Sequence, residues 1–330
     1  MHSDDNEGGY MRRKHANGPL FPAVMLSLMA LFLTGCQDPE PPGVEDLPPE
    51  AASALSRSGP VPFELLPLEG PVERVAVGFQ GREVISSVRV EEGAGFRLAR
   101  HEWDEGAGAW SPGEPLPFAD AEAPDRDPTL SPDGSYLLFA SLRPADHPSA
   151  FDSNLWVAQR EEGPEGETAG WSAPWLVPGV NSPAWDGNPS MAGNGSLYFS
   201  SRREGPEVGS NLFVATFEGG MWETPEPLPE PLNSPHDEGD PFVAPDRSFL
   251  LFTSNREGNW NLYVSFRVGE AWGEVQKLGD EVNTRADERA PYLSSAGRTL
   301  FFVRDGVLRA IPASRAGVVR PEPDSDARES

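Results

Sequence analysis

Acidic residues recur along this chain at nearly fixed intervals. Asp125, Asp186, Glu238 and Glu288 each precede a proline (Pro128, Pro189, Pro241, Pro291), and the prolines are 61, 52 and 50 residues apart. Arg143, Arg203 and Arg256 follow in step. Carboxylates and guanidinium groups in such a register can close salt bridges between repeating units. They can also form a polar ring around a ligand, or, where two carboxylates face one bond, act as general acid and base. Salt bridging is the expected role, the ligand-facing ring is the alternative, and a catalytic pair comes third. His101, His147 and His236 fall in or near different repeats without ligand spacing, so surface histidines are expected rather than a metal site. No Gly-x-Ser-x-Gly elbow, His-Glu-x-x-His helix or phosphate-cradling loop occurs. The sequence therefore predicts no metal, no cofactor and no enzymatic activity.

The elements that must position these residues are short strands. The stretches "DRDPTLSPDGSYLLFASLRP" (125–144), "WDGNPSMAGNGSLYFSSRRE" (185–204), "DEGDPFVAPDRSFLLFTSNRE" (237–257) and "DERAPYLSSAGRTLFFVRD" (287–305) share one plan. Each has an acidic loop, a proline, a short run, a turn, and an apolar strand ending in Phe139, Phe199, Phe252 or Phe302. An Asn-Leu-aromatic triplet follows three of them, at Asn154, Asn211 and Asn261, then a tryptophan at a Gly-rich turn (Trp171, Trp222, Trp272), then Asn181, Asn233 or Asn283. Four strands per unit with a period near 50 predict an all-β fold, a β-propeller. Residues 79–118, with Trp110 at the turn, read as a degenerate first blade, giving about five four-stranded blades, with six as the alternative. The last repeat lacks an outer strand, and "VPFELLPL" (61–68) is expected to supply it and close the ring, removing an exposed edge.

Up-and-down topology places the loop into each first strand and the loop between the second and third strands on one face. Asp125, Asp186, Glu238 and Glu288 should share that candidate binding face with Arg143, Arg203 and Arg256. The tryptophans are expected to pack between blades or in hairpins, although Trp185 and Trp260, read as exposed, could form a platform for a sugar or peptide. The repeated asparagines are expected to hydrogen-bond their own turns.

These blades resemble the WD-repeat-like blades of the TolB family, on Ser131-Pro132-Asp133-Gly134 and on Ser254-Asn255-Arg256-Glu257-Gly258 followed by Asn261-Leu262-Tyr263. Ala244-Pro245-Asp246-Arg247 departs from the turn motif at its glycine. The stretch "WGEVQKLGDEVNTRADERAPYLSSAGRTLFF" is also similar to propeller segments that accompany peptidoglycan-binding envelope domains. The resemblance covers roughly residues 120–312 and implies a propeller and a protein partner.

Cys36 is the chain's only cysteine and cannot form an internal disulfide. It ends a basic cluster (Arg12-Arg13-Lys14) and an apolar run from Leu20 to Leu33, too short to span a bilayer but suited to a signal peptide. Leu33-Thr34-Gly35-Cys36 resembles the bacterial lipoprotein box, which implies acylation of Cys36 and removal of residues 1–35. Gln37 stands where that family's inner-membrane retention signal has Asp, so an outer membrane lipoprotein is expected, on its periplasmic face or at the cell surface. Translation is expected to start at Met11, since "MHSDDNEGGY" carries the wrong charge for a leader. Residues 36–60 read as a lipidated Pro- and acid-rich tether, 61–315 as the propeller, and 316–330 as a disordered tail.

A formal charge of −26 repels phosphate backbones, so no nucleic acid partner is expected, and membrane association needs the lipid. The sequence thus predicts a lipid-anchored, non-enzymatic envelope propeller that binds a protein or glycan. The alternatives are a propeller glycan hydrolase with funnel carboxylates and a purely structural envelope component. A funnel with two carboxylates about 5–10 Å apart would favour hydrolysis; an apolar or plugged one would favour binding.

Overall fold

The computed structural model describes residues 61–318 apart from 63–65, 69, 79–81, 90–94, 120–122, 145–151, 162–169, 206 and 295–296. The expected signal peptide, lipidation site Cys36 and tether, together with His147 and most of the expected tail, lie outside the described residues. Among the described residues there are twenty-three strands, arranged in five antiparallel blades, and one short helix, α1 (Ala313–Ala316). The strand β1 (Val61–Pro62) belongs to the last of them. Blade 1 contains β2 (Val72–Val77), β3 (Glu83–Arg89) and β4 (Phe96–Asp104), with β5 (Ala109–Trp110) and β6 (Glu114–Pro115) pairing on β4. Blade 2 is β7 (Asp125–Leu130), β8 (Tyr136–Ser141), β9 (Asn154–Gln159) and β10 (Trp175–Leu176). Blade 3 is β11 (Asp186–Met191), β12 (Leu197–Ser201), β13 (Asn211–Ala215) and an outer β16 (Glu226–Pro227), with the hairpin β14 (Phe217–Glu218) and β15 (Met221–Trp222) between. Blade 4 is β17 (Glu238–Val243), β18 (Phe249–Ser254), β19 (Asn261–Val268) and β20 (Ala271–Lys277). Blade 5 is β21 (Glu288–Leu293), β22 (Thr299–Arg304), β23 (Val307–Pro312) and β1.

The N-terminal closure is therefore present: Val61 stands opposite Ala310 and Pro62 opposite Arg309. Without it β23 would carry a bare edge. The expected start of the first blade needs correction. Its innermost strand is "VERVAV" at 72–77, ahead of residue 79, and lacks the proline that marks the other four. Blade 1 therefore lacks the residue that marks the register of the other innermost strands.

Each innermost strand carries a one-residue bulge, at Val72/Arg74, Arg126/Thr129, Gly187/Ser190, Gly239/Phe242 and Arg289/Tyr292. In blades 2–5 the residue before the proline takes a left-handed backbone: Asp127 (φ 54), Asn188 (φ 51), Asp240 (φ 48) and Ala290 (φ 51). Asp and Asn tolerate that conformation better than most residues, and proline disfavours the right-handed helical alternative just before it. Bulges re-aim side chains, and here they turn the Asp, Asn, Asp series towards the axis.

No single sheet covers its own faces, and the core lies between blades. Tyr198 and Leu212 of blade 3 pack with Leu250, Phe252 and Tyr263 of blade 4, and Leu251 and Leu262 of blade 4 with Leu300, Phe302 and Ile311 of blade 5. A third cluster joins Val75 and Ile85 of blade 1 to Leu137 and Phe139 of blade 2 and to Phe301 and Ala310 of blade 5. Burying such a side chain stabilises the fold by about 1.5–3 kcal/mol. At the seam between blades 5 and 1, the Tyr292 hydroxyl donates to the Val77 carbonyl at 2.8 Å.

Candidate functional site

The sequence-predicted acids and arginines meet in pairs, and every pair lies within one blade rather than between blades. Asp125 is held by Arg143 (2.6 Å), Asp186 by Arg203 (2.8 Å), Glu238 by Arg256 (3.1 Å), and Glu288 by Arg304 (2.7 Å). Each pair links the start of a first strand to the end of the second, across the rung where β7 faces β8 and its equivalents. The four carboxylate side chains are at most 2% exposed and the arginines 13–17%. Burial extends to the guanidinium faces: Arg203 stacks on Phe199 and Phe213, and Arg256 on Phe252 and Tyr263. Backbone carbonyls of the preceding loop, Val180 and Leu232, take further N–H groups. Arg304 completes the set although blade 5 lacks the Ser-x-Arg loop by which the other three were found. These pairs tie each loop to its blade, and the acids present little surface to a ligand.

The asparagines hydrogen-bond their own turns and also reach beyond them. Asn233 accepts the Leu212 N–H (2.8 Å) and donates to the Leu212 and Leu228 carbonyls; Asn283 does the same with Leu262 and Leu278, and Asn181 with Leu155 and Val177. They thus staple the loop after the outer strand to the third strand, beyond their own turns. His101 is buried and sits 3.0 Å from the Ser86 hydroxyl and 3.2 Å from the Ser111 carbonyl, so it is a core residue and not a surface one. His236 is exposed. Among the described residues no cluster of His, Cys, Asp and Glu could hold a metal ion.

Two connected concavities lie on the acid-and-arginine face. The wider, about 620 Å3, is lined by residues of blades 2–4 and the loops between them, among them Asp152, Trp185, Arg202, Glu207 and His236. The narrower, about 200 Å3, is the mouth of the axial channel and draws on all five blades: Glu73, Asp127, Asn188, Asp240 and Arg289 line it. Trp185, Arg202 and Asp237 belong to both. Trp185 and Trp260 are half-buried at this mouth rather than exposed. Arg202 lies over the Trp185 ring (5.8 Å) and Arg289 over the Trp260 ring (3.9 Å). A Cβ on Gly187 would collide with the Trp185 ring, so that glycine lets the indole lie against the innermost strand.

The channel residues were not among the sequence candidates. Asp240 has its oxygens taken: Oδ1 accepts Asn188 Nδ2 (2.9 Å), and Oδ2 accepts the Thr253 hydroxyl (3.1 Å) and the Ala290 N–H (3.2 Å). The fully buried Arg74 of blade 1 reaches across to Asp240 (3.7 Å) and donates to the Pro241 carbonyl (3.0 Å). Glu73 is the opposite case. Its Oε2 has no hydrogen-bond partner among the described residues, and Arg126 stands 3.9 Å from its Oε1. Burial, reinforced by the neighbouring Asp127 charge, pushes the Glu73 carboxyl up to about 8. Burial also raises Asp127, against the pull of Arg126 and Arg74. The signal that could have found this ring is the polar residue directly before each proline, in Asp127-Pro128, Asn188-Pro189 and Asp240-Pro241.

No protein-family model and no curated protein matches the chain. Solved structures resemble it at low identity. A TolB-type protein of Agrobacterium tumefaciens is 17% identical over 72% of this chain and 71% of its own, with a TM-score of 0.46. TolB of Acinetobacter baumannii is 14% identical over 75% of this chain and 55% of its own (TM-score 0.41), and a gluconolactonase of Xanthomonas campestris is 14% identical over 73% and 71% (TM-score 0.42). None of these likenesses carries an activity or a ligand over to this chain, which stands on its own blades as an all-β, five-bladed propeller.

Proposed function

We propose that the protein is a lipid-anchored propeller of the cell envelope, held at the outer membrane by acylated Cys36, that binds a protein or glycan partner without transforming it. The observation that carries this reading is the channel mouth, where Trp185 and Trp260 stand half-buried, each beneath an exposed arginine, beside a cavity of about 620 Å3. Cavities of this size suit a compact ligand or the end of a chain, and buried aromatic and arginine anchors carry most of the affinity of many interfaces. Plugging also supports binding over hydrolysis, since Arg74 crosses the axis and the lone pairs of Asp240 are spent on neighbours.

The test is crosslinking and recovery from native membranes with the full chain. Trp185→Ala with Trp260→Ala should abolish recovery of the wild-type partner while circular dichroism shows the fold retained. Equal recovery would overturn the mouth as the binding site. In the same preparations Cys36→Ala should lose fatty-acid labelling and leave the membrane fraction, because the −26 formal charge supplies no affinity for anionic lipid. A second reading, glycan hydrolysis, is favoured by the two carboxylates Glu73 and Asp127 lining the channel mouth together, with burial pushing Glu73 up to about 8. Release of reducing ends that Glu73→Gln abolishes would establish it.

A further inference from the structure

From the arginine–tryptophan pairs we infer the chemical class of the ligand, on the premise that the channel mouth is the binding site: it takes an acidic saccharide, a glycan carrying ring carboxylates. Among the described residues the Arg202 and Arg289 guanidinium groups form no ion pair or hydrogen bond, although acids outnumber bases 52 to 26 in the chain. Nearly every other arginine of this face is matched to a carboxylate. A guanidinium stacked on an indole has one face covered while its N–H edges stay free in the plane, which is the geometry that grips a carboxylate by two parallel bonds. Stacking also removes rotamer freedom in advance, so less is lost on binding. Two such forks, fixed on blades 3 and 5 and turned to the same mouth, suit an anionic ligand better than a neutral one.

The remaining lining argues for a sugar rather than a polyanionic peptide. Asp152 and Glu207 are exposed in the wider cavity, beside His236, and want donors. A uronate ring offers both parts at once: a carboxylate for the arginines and several hydroxyl donors for the acids. A run of glutamates offers no donors and would be repelled by Asp152, Glu207 and the net charge. Among the described residues the apolar lining of this cavity is small, Ala184, Val208 and Pro235 beside the Trp185 ring.

The experiment titrates the full chain, followed by tryptophan fluorescence and calorimetry, with three probes of matched length. These are an oligogalacturonate, the neutral oligogalactoside, and a mixed Glu/Lys peptide. Wild-type protein should bind the oligogalacturonate about tenfold or more tighter than the neutral sugar, and rising salt should narrow the gap. Arg202→Gln with Arg289→Gln should erase that preference with an unchanged melting temperature, both side chains being exposed. Equal affinity for the two sugars, preference for the peptide, a preference that survives the double variant, or binding of none of the three would each overturn the acidic-saccharide assignment. Failure here, with partner recovery still lost in the tryptophan variants, would remove the ligand class and leave the mouth. Retained recovery in those variants would remove the mouth itself.

Discussion

Arg74 of blade 1 and Asp240 of blade 4 face each other across the propeller axis at 3.7 Å, and the arginine is wholly out of water. A ring held together by apolar seams between neighbours thus also has a polar strut joining blades that are not neighbours. The strut is anchored twice, because Arg74 Nη2 donates to the carbonyl of Pro241, the residue after its ion partner. Its position also decides what the channel can do, since it occupies space that a through-passage would need.

Removing one half of this pair should be costly. In Arg74→Met, Asp240 keeps its three hydrogen bonds but loses its buried counter-charge, and a loss of about 3–5 kcal/mol is expected. Chemical denaturation of the variant measures this directly. A change under about 1 kcal/mol would mean that the pair behaves as a surface bridge, and the strut would have to be abandoned.

The intra-blade pairs lead to a second expectation, and a revision. An exposed salt bridge contributes only about 0–1 kcal/mol, and in such a setting changing Glu238 or Arg256 to glutamine would matter only slightly. In the fold the Glu238 side chain is 0% exposed and accepts from Ser234, Ser254 and Arg256 together. Hydrogen bonds to a buried charge contribute about 1.5–3 kcal/mol each, so Glu238→Gln and Arg256→Gln should each lower the melting temperature clearly. Ligand binding at the mouth should persist if the pair only braces the loop. Loss of binding without loss of stability would restore the ligand-facing ring.

Much of this architecture was legible in the chain because propeller physics repeats. A strand that ends in Phe139, Phe199, Phe252 or Phe302 must bury that ring against the next blade, and the spacing of those residues is the spacing of the blades. The missing outer strand of blade 5 was legible for the same reason: an edge at β23 needs a partner, and only "VPFELLPL" had no blade of its own. Blade 1 was partly hidden because Val72–Val77 has neither the acidic first residue nor the proline. The site was less legible than the fold. Whether Asp127 or Asp125 faces the axis depends on a bulge, which shifts the alternation of side chains by one and leaves only the pre-proline position as a trace. The asparagine staples escaped because Asn233 and Leu212 are 21 residues apart, and only the folded blade brings them within 2.8 Å.

Ring closure can be tested by removing its clasp. Deleting residues 61–68 takes away the two rungs between β1 and β23, together with Leu66, which is buried in the seam cluster. The freed edge of β23 would offer unpaired N–H and C=O groups to other molecules. Aggregation or unfolding is expected, seen by light scattering and circular dichroism. A truncated protein that stays monomeric and melts as before would show that the ring does not need this strand.

The last expectation follows from Glu73, whose carboxyl is pushed from an ordinary 4.5 up to about 8 by burial and by Asp127. A carboxyl with a raised value binds its proton more tightly folded than unfolded. Between about pH 4.5 and pH 8 the native state therefore holds a proton that the unfolded state has released, and stability falls as pH rises through that window. Above it the loss is complete, and below it there is none. Glu73→Gln keeps the shape and cannot ionise, so the variant should match wild type near pH 4.5 and melt higher above pH 8, by roughly 2–4 °C for each kcal/mol relieved. The partly open channel mouth lets water screen the charge, which places the gain at the low end of what burial alone would give. Parallel melting curves for the two proteins across that whole range would mean that Glu73 titrates alike in the folded and unfolded chain. The Glu73–Asp127 pair would then be two ordinary carboxylates, and the hydrolytic reading of the channel would lose its proton donor.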